Sequence, residues 1–478
     1  MQPHNGSVPA PAPHHRIAIV IGLLVWFACS WFGSWEGNPN NATRLFAATS
    51  LVEDGSAAID RFAPLTIDKA RFGSHYYLDK APGMTLMALP AVALADALTG
   101  RRASAAPDLW RFMRLRLRLA VASGPALLTG IAAALLFDLA LGLTGSASGA
   151  LVAALGFALG SPVWGWSTTV LGHGAVAALY VIALWALWRG VGRPWLYALA
   201  GAALGWAVVI EYQAVLAGSV LALFGLVRVW PQPGRRRMLG AAIIGGFVAL
   251  LPLLAYNMMA FGTPFRLGYQ GVVGFEGMNR GLFGLSWPDP AVLLQLIAGT
   301  RRGLLWVAPV LVVAPLGLLD LGARDRRLAW AAGGGALVVL LVNAGYFYWD
   351  GGNATGSRHA VPAIGLLAIG LAPFWAQLRT RAGRIATASL LGVAIAINLL
   401  IAACDIFAPP SDPWPLRWVW TQHLARGDIT SVASDWLGWP GWAGLMVWVA
   451  IALPVLGWLV RAVALHRAGP RFSLLGSA

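Results

Sequence analysis

Residues 235–257 read RRRMLGAAIIGGFVALLPLLAYN. Three arginines are followed by eighteen residues, Met238 to Ala255, without a single charge. A run of that length and apolarity is long enough to cross a bilayer as a helix. Lys and Arg gather on the cytoplasmic side of such segments, so Arg235–Arg237 also suggest which way this one points. The same pattern recurs along the chain. Apolar pieces fall at about 17–33, 84–99, 117–140, 147–161, 174–188, 195–210, 213–230, 238–255, 304–320, 328–347, 360–376, 385–403 and 441–460. Across all 478 residues, 58% are hydrophobic and only 11% charged, with mean hydropathy +0.68. Soluble domains carry about 25% charged residues. A water-soluble enzyme is therefore excluded, and an all-α polytopic membrane protein of about twelve spans is expected.

Arginine-rich connections at Arg189–Arg193, Arg228–Arg237, Arg324–Arg327, Arg379–Arg384 and Arg461–Arg471 alternate correctly if all are cytoplasmic together with the N-terminus. One apolar piece must then fail to cross, either 84–99 or 147–161. The first choice leaves the six arginines of Arg101–Arg118 outside. The formal charge of +15 is thus read as membrane orientation, not nucleic-acid binding. The expected organisation is a cytoplasmic tail at 1–16, one transmembrane unit at 17–461 and a second cytoplasmic tail at 462–478. Three long outer loops span 34–116, 256–303 and 404–440. Cys29 and Cys404 provide no disulfide framework. Walker, Rossmann, zinc and Gly-x-Ser-x-Gly patterns are absent, so nucleotide chemistry is not expected.

On the first reading all acids except Asp138, Asp320 and Asp325 face outward. Carboxylates are costly near a membrane unless solvated, paired or functional, so their concentration marks the face where chemistry would occur. The first outer loop holds Glu36, Glu53, Asp54, Asp60, Asp68 and Asp79, and both lysines of the chain, Lys69 and Lys80, each within Asp-Lys-Ala. An ammonium can meet a phosphate as a point charge. The alternative is that both are interfacial anchors. Residues 44–52 suit a short helix lying on the membrane. The stretch 161–173 reads as an accessible outer turn whose one titratable group is His173, a phosphate ligand or a hydrogen-bonded structural residue. Glu211 sits at an outer span end, used in the site or paired with a loop arginine. Tyr348–His359 packs Trp349, Asp350, three glycines, Arg358 and His359 into twelve residues, a ligand-binding loop or a tight turn with belt aromatics. Arg301-Arg302 reads as a ligand of the carrier phosphate or, in preference, as a headgroup anchor.

Three elements follow the first span in order: Asn41-Ala42-Thr43-Arg44, Leu51-Val52-Glu53-Asp54-Gly55 and Tyr76-Tyr77-Leu78-Asp79-Lys80-Ala81-Pro82-Gly83. That order resembles the C-type glycosyltransferases, closest to the branch of lipid A aminoarabinose transferase and protein O-mannosyltransferases. The resemblance implies a polyprenyl-phosphate sugar donor, transfer with inversion at the outer face of a bacterial inner membrane, and an optional divalent metal whose ligands are unknown. It carries Arg44 and Lys80 over to the donor phosphate, with Lys69 and Arg358 as further cations. His173, Glu211, Trp349, Asp350 and His359 are expected to bind substrate. The family's acid pair is replaced by Asn41-Ala42, which leaves Glu36, Asp60 or Asp68 as base. Asp68 is preferred because Lys69 would keep it ionised and Gly73 lets the chain fold over a ligand. The rival readings are a transporter or flippase of a lipid-linked sugar, and a polymerase or ligase acting on diphosphate carriers.

Overall fold

The computed structural model describes residues 14–465. The tails expected at 1–16 and 462–478 therefore lie mostly outside the described residues, while His14–Arg16 and Ala462–Leu465 are the ends of long helices. The chain is helical almost throughout. In order the helices are α1 (His14–Trp31), α2 (Pro39–Asp54), α3 (Gly83–Thr99), α4 (Leu109–Ser123), α5 (Pro125–Thr144), α6 (Ala147–Ala158), α7 (Val163–Trp166), α8 (Gly172–Arg189), α9 (Pro194–Ile210), α10 (Ala214–Val229), α11 (Arg235–Phe261) and α12 (Pro290–Ala298). They continue as α13 (Leu304–Val307), α14 (Ala314–Arg324), α15 (Arg326–Ala344), α16 (Val361–Leu367), α17 (Leu371–Gln377), α18 (Arg381–Cys404), α19 (Pro415–Trp418), α20 (Val432–Leu437) and α21 (Gly441–Leu465). A hairpin of β1 (Ala70–Phe72) and β2 (His75–Tyr77) interrupts the first loop, turning at Gly73 with φ +61°.

Eight helical segments are long and apolar enough to cross a membrane, and α3, α6, α9 and α10 are shorter apolar helices. This is a multi-pass membrane protein. The apolar pieces read from the sequence recur as helices, and two of them differ in ways that matter here. The piece at 304–320 is not one helix. It breaks into α13, a 3₁₀ turn Pro309–Val313 and α14, because Pro309 and Pro315 each lack the N–H that a continuous helix needs. The twelve residues of α6 make about 18 Å, short of a hydrocarbon core of about 30 Å, and all of them but Ser148 are buried.

Helix direction sorts the charges. From His173 at the start of α8 to Arg189 at its end is about 24 Å. At that far end Arg189 pairs with Asp138 at 2.8 Å and Arg228 with Asp325 at 3.5 Å. The arginines of 235–237, 324–327 and 379–384 begin or end helices on the same side. The opposite end carries the three long loops.

The arginines of α4, awkward in the sequence, have partners there. Arg114 meets Glu36 at 2.7 Å, Arg116 meets Asp96, and Arg118 meets Asp435 through Nε at 3.0 Å. Arg118 also donates to the carbonyl of Phe32, so one buried guanidinium joins α1, α4 and the third loop. Removing one partner of a buried pair strands the other at a cost of about 3–5 kcal/mol. Asp435→Ala is expected to lower the thermal midpoint in detergent accordingly; an unchanged midpoint would show the pair to be dispensable.

Two surface expectations are corrected. α2 does not lie on the membrane: Asn40 to Ser50 are buried, because the polar groups of this face have internal partners, Thr43 with Thr66 at 2.6 Å and Asn41 with the Val170 amide at 3.0 Å. Nor is 161–173 an accessible turn. Ser161 to His173 are all buried, and the Ser167 hydroxyl lies 2.8 Å from that of Thr129. A cysteine at Ser167 could not report sidedness. Ser411, exposed in the third loop, can, because Cys29 and Cys404 are buried and silent. Ser411→Cys is expected to react with an impermeant thiol reagent in intact cells. Labelling only after the cytoplasm is opened would invert the assigned faces.

Candidate functional site

The loop end holds a cavity of about 210 Å³. Each wall has a local cause. Asn38 caps α2, its side chain accepting from the amides of Asn40 and Asn41, which sets the helix that carries Arg44. The hairpin delivers Asp79 and Lys80 directly before α3. Gly83 there abuts the end of α9: a Cβ would sit 2.7 Å from the Ile210 amide nitrogen, so glycine lets the start of α3 lie this close to the end of α9. Glu211 ends α9, His173 begins α8, and Arg358 and His359 form a 3₁₀ turn ahead of α16.

Three cations, Arg44, Lys80 and Arg358, and three carboxylates, Asp68, Asp79 and Glu211, line this cavity with His173 and His359. Lys80 Nζ is bonded to Asp79 and stands 3.7 Å from Asp68 Oδ1. Arg44 bonds Asn40 and comes within 3.7 Å of Glu211. Burial pulls the Lys80 ammonium down, but Asp79 and Asp68 outweigh it, so its pKa is raised and it stays charged. Burial pushes the Asp79 carboxyl up, against the pull of Lys80. The rings of His173 and His359 meet edge to face at 5.0 Å, and both His359 nitrogens are buried without a hydrogen-bond partner among the described residues. The Nε atoms of Arg44 and Arg358 are likewise buried and without a partner. Buried polar atoms without partners are costly, and all three residues line the cavity.

Asp68, Arg44, Lys80, Arg358, His173, Glu211 and His359 are thus brought together. Glu36, Asp60, Lys69, Trp349 and Asp350 are not among the lining residues. Glu36 is taken by Arg114. Asp60 accepts from the Tyr76 amide at 2.7 Å and meets His75 at 2.6 Å, fixing the hairpin, and these contacts hold its carboxyl below the usual range despite some burial. Lys69 bonds the Ala63 carbonyl and lies over the Tyr76 ring at 5.3 Å, so the cation beside Asp68 is Lys80, not its sequence neighbour. Asp350 pairs with Arg301, which lies 5.7 Å over Trp349. Arg302 is no headgroup anchor. Fully buried, it donates to the carbonyls of Asp350 (2.6 Å) and Gly352 (2.7 Å) and braces the loop that presents Arg358. In that loop Gly351 has φ +70°, and a Cβ on it would press on the Arg358 side chain at 2.9 Å.

Asp79, Tyr269, Tyr346 and Phe275 also line the cavity and were not singled out as site residues. Only Asp79, within the Asp-Lys-Ala repeat, left a signal. The others arrive from the second loop and the end of α15 by tertiary packing alone. Among the described residues no group of three or more His, Cys, Asp or Glu is placed to hold a metal.

A second cavity of about 270 Å³ adjoins the first and shares His173, Glu211, Gln213, Tyr269, Tyr346 and His359 with it. Its remaining lining is largely apolar, with Val215, Leu216 and Ala217 from α10 facing Val338, Val339 and Val342 from α15. The charged cavity therefore continues into a greasy one between two apolar helices.

No family model matches the chain, and no curated protein does. Among solved structures it is similar to ArnT from Cupriavidus metallidurans in the apo state, with TM-score 0.51 and 17% identity over 94% of this chain and 73% of that one. ArnT bound to undecaprenyl phosphate gives TM-score 0.49, 16% identity and coverage of 94% and 74%. The archaeal oligosaccharyltransferase AglB from Archaeoglobus fulgidus, in complex with an inhibitory peptide and a dolichol-phosphate, gives 0.45 and 14% identity over 84% and 56%. The apo ArnT likeness shows a shared fold.

Proposed function

We propose that this protein is an inverting glycosyltransferase of the membrane, moving a sugar from a polyprenyl-phosphate donor to an acceptor at the outer face of a bacterial inner membrane. One observation carries the reading: a cavity with three cations opens into an apolar one between α10 and α15. That pairing suits a ligand with a phosphate head and a hydrocarbon tail. The acceptor hydroxyl gives its proton to Asp68 as its oxygen attacks the anomeric carbon. The bond from that carbon to the phosphate oxygen breaks, and Lys80, Arg44 and Arg358 hold the charge that grows on the leaving phosphate. Displacement in one step inverts the anomeric centre. No step here needs a metal ion.

The placement of charge favours an enzyme over a transporter. The ion pairs gather at the far end and at the loop end, whereas a pathway would carry ionisable groups at mid-membrane. The test uses protein in nanodiscs. Polyprenyl phosphate is expected to raise the thermal midpoint, and transfer from a radiolabelled polyprenyl-phosphate sugar is expected to release polyprenyl phosphate. Turnover confined to diphosphate-linked glycans would establish the polymerase or ligase reading instead.

A further inference from the structure

The third loop carries a separate concave site of about 470 Å³ whose walls are Trp414, Trp418, Arg417, Asp412, Thr421 and Gln422. These positions recur every three or four residues along α19 and the π turn Val419–His423, so they share one face. Both indoles are held before any ligand arrives. Trp418 donates through Nε1 to Asp405 Oδ2 at 3.2 Å, and the same oxygen lies 3.3 Å from His423 Nε2. Burial opposes but does not cancel the effect of Asp405, whose bond raises the His423 pKa. The Trp414 ring packs edge-on against Trp306 at 5.9 Å. The polar groups, by contrast, keep free capacity. The Arg417 guanidinium has no ion pair or side-chain hydrogen bond among the described residues, and Asp412 uses only Oδ1, to accept from the Trp414 amide at 2.7 Å.

Locked aromatic faces beside an unpaired guanidinium, a half-used carboxylate, an amide and a hydroxyl match a ligand with an apolar face and a rim of hydroxyls. We propose that this is a binding site for a pyranose residue of a glycan, stacked on the indoles with its hydroxyls on Arg417, Asp412 and Gln422. One cation and one carboxylate suit a neutral sugar better than a multiply charged headgroup. Position gives the site its use. Thr300 on its rim precedes Arg301 and Arg302, which hold the loop whose Gly351 lines the transfer cavity. The start of the third loop is bonded to that same loop, the Ala354 amide to the Ala408 carbonyl at 3.0 Å and the Thr355 amide to the Ile406 carbonyl at 2.9 Å. A glycan seated at Trp414 and Trp418 is separated from the cavity by one loop. Resting on the glycosyltransferase reading, the site would hold the acceptor glycan away from the reacting hydroxyl.

Fluorescently labelled protein in nanodiscs, applied to a microarray of bacterial glycans, is expected to select a set of oligosaccharides. The strongest, titrated in solution, should saturate. Arg417→Ala and Trp418→Ala are expected to raise its Kd at least about tenfold, while Trp287→Ala, an exposed tryptophan outside the site, should not. Trp418 also bonds Asp405, so Arg417→Ala, which removes an exposed side chain without partners, decides the matter if Trp418→Ala folds poorly. Lys80→Ala should bind the glycan as wild type does. Absence of any saturable glycan, or an Arg417→Ala affinity equal to wild type, overturns the site even if transfer is normal. Quenching of Trp414 by brominated phospholipid in the nanodisc, without glycan binding, overturns it in favour of a lipid contact.

Discussion

Lys80→Ala is expected to abolish transfer, with turnover falling by at least about 10²-fold, the loss that follows removal of one preorganised charge partner of a developing anion. Among the three cations lining the cavity, the ammonium alone is bonded to a buried carboxylate and within 3.7 Å of a second. Its removal leaves Asp68 and Asp79 facing the leaving phosphate with their negative charge uncompensated. The fold-increase in donor Kd should be smaller than the fold-loss in turnover, because Arg44 and Arg358 remain to bind the head group while the growing charge loses its nearest stabiliser. Lys80→Arg should rescue poorly. A guanidinium fork does not fit where a point charge now bridges two carboxylates. The measurement is single-turnover transfer of labelled sugar from its polyprenyl phosphate, with the thermal midpoint recorded alongside, since Asp79 is buried and loses its partner. Near wild-type turnover in a folded Lys80→Ala protein would remove Lys80 from the phosphate role.

What the sequence disclosed follows from which forces act locally. Apolar run length is a local property, so the long apolar helices were legible, and the arginine clusters marked one common end. The short elements of the first loop were not. Arg44 to Val52 shows an apolar stripe, and a stripe looks the same whether it faces lipid or protein. Only the contacts of Thr43 and Asn41 with Thr66 and Val170 make α2 an interior wall. The site was legible where chemistry was unusual for its surroundings: two lysines in a chain of arginines, and glycines beside Arg358 and His359. It was misread where a group's partner lies far along the chain. Glu36 looked free until α4 supplied Arg114, 78 residues away. Asp350 looked like a ligand group until Arg301 claimed it, 49 residues away. Asp68 was expected to have Lys69 as its cation, but Lys69 turns to Ala63 and Lys80 comes round on the hairpin.

The hairpin also narrows the choice of base. Asp60 is spent on His75 and Tyr76, and Glu36 on Arg114, so Asp68, Asp79 and Glu211 remain at the cavity. Asp79 is fully buried and bonded to Lys80, which suits a charge partner that must stay put. Glu211 faces Arg44 at 3.7 Å and His173 at 4.0 Å on the side shared with the apolar cavity, where the carrier tail would lie. Asp68 keeps part of its side chain exposed, and among the described residues its carboxylate has no contact closer than its 3.7 Å approach to Lys80, so an acceptor hydroxyl can reach it. Asp68→Asn is therefore expected to lose turnover by about 10²–10⁴-fold, the usual size of a missing general base, while donor binding persists because the three cations are untouched. Full activity in Asp68→Asn, with the loss appearing in Asp79→Asn or Glu211→Gln, would move the proton to that carboxylate and leave the displacement at the phosphate as described.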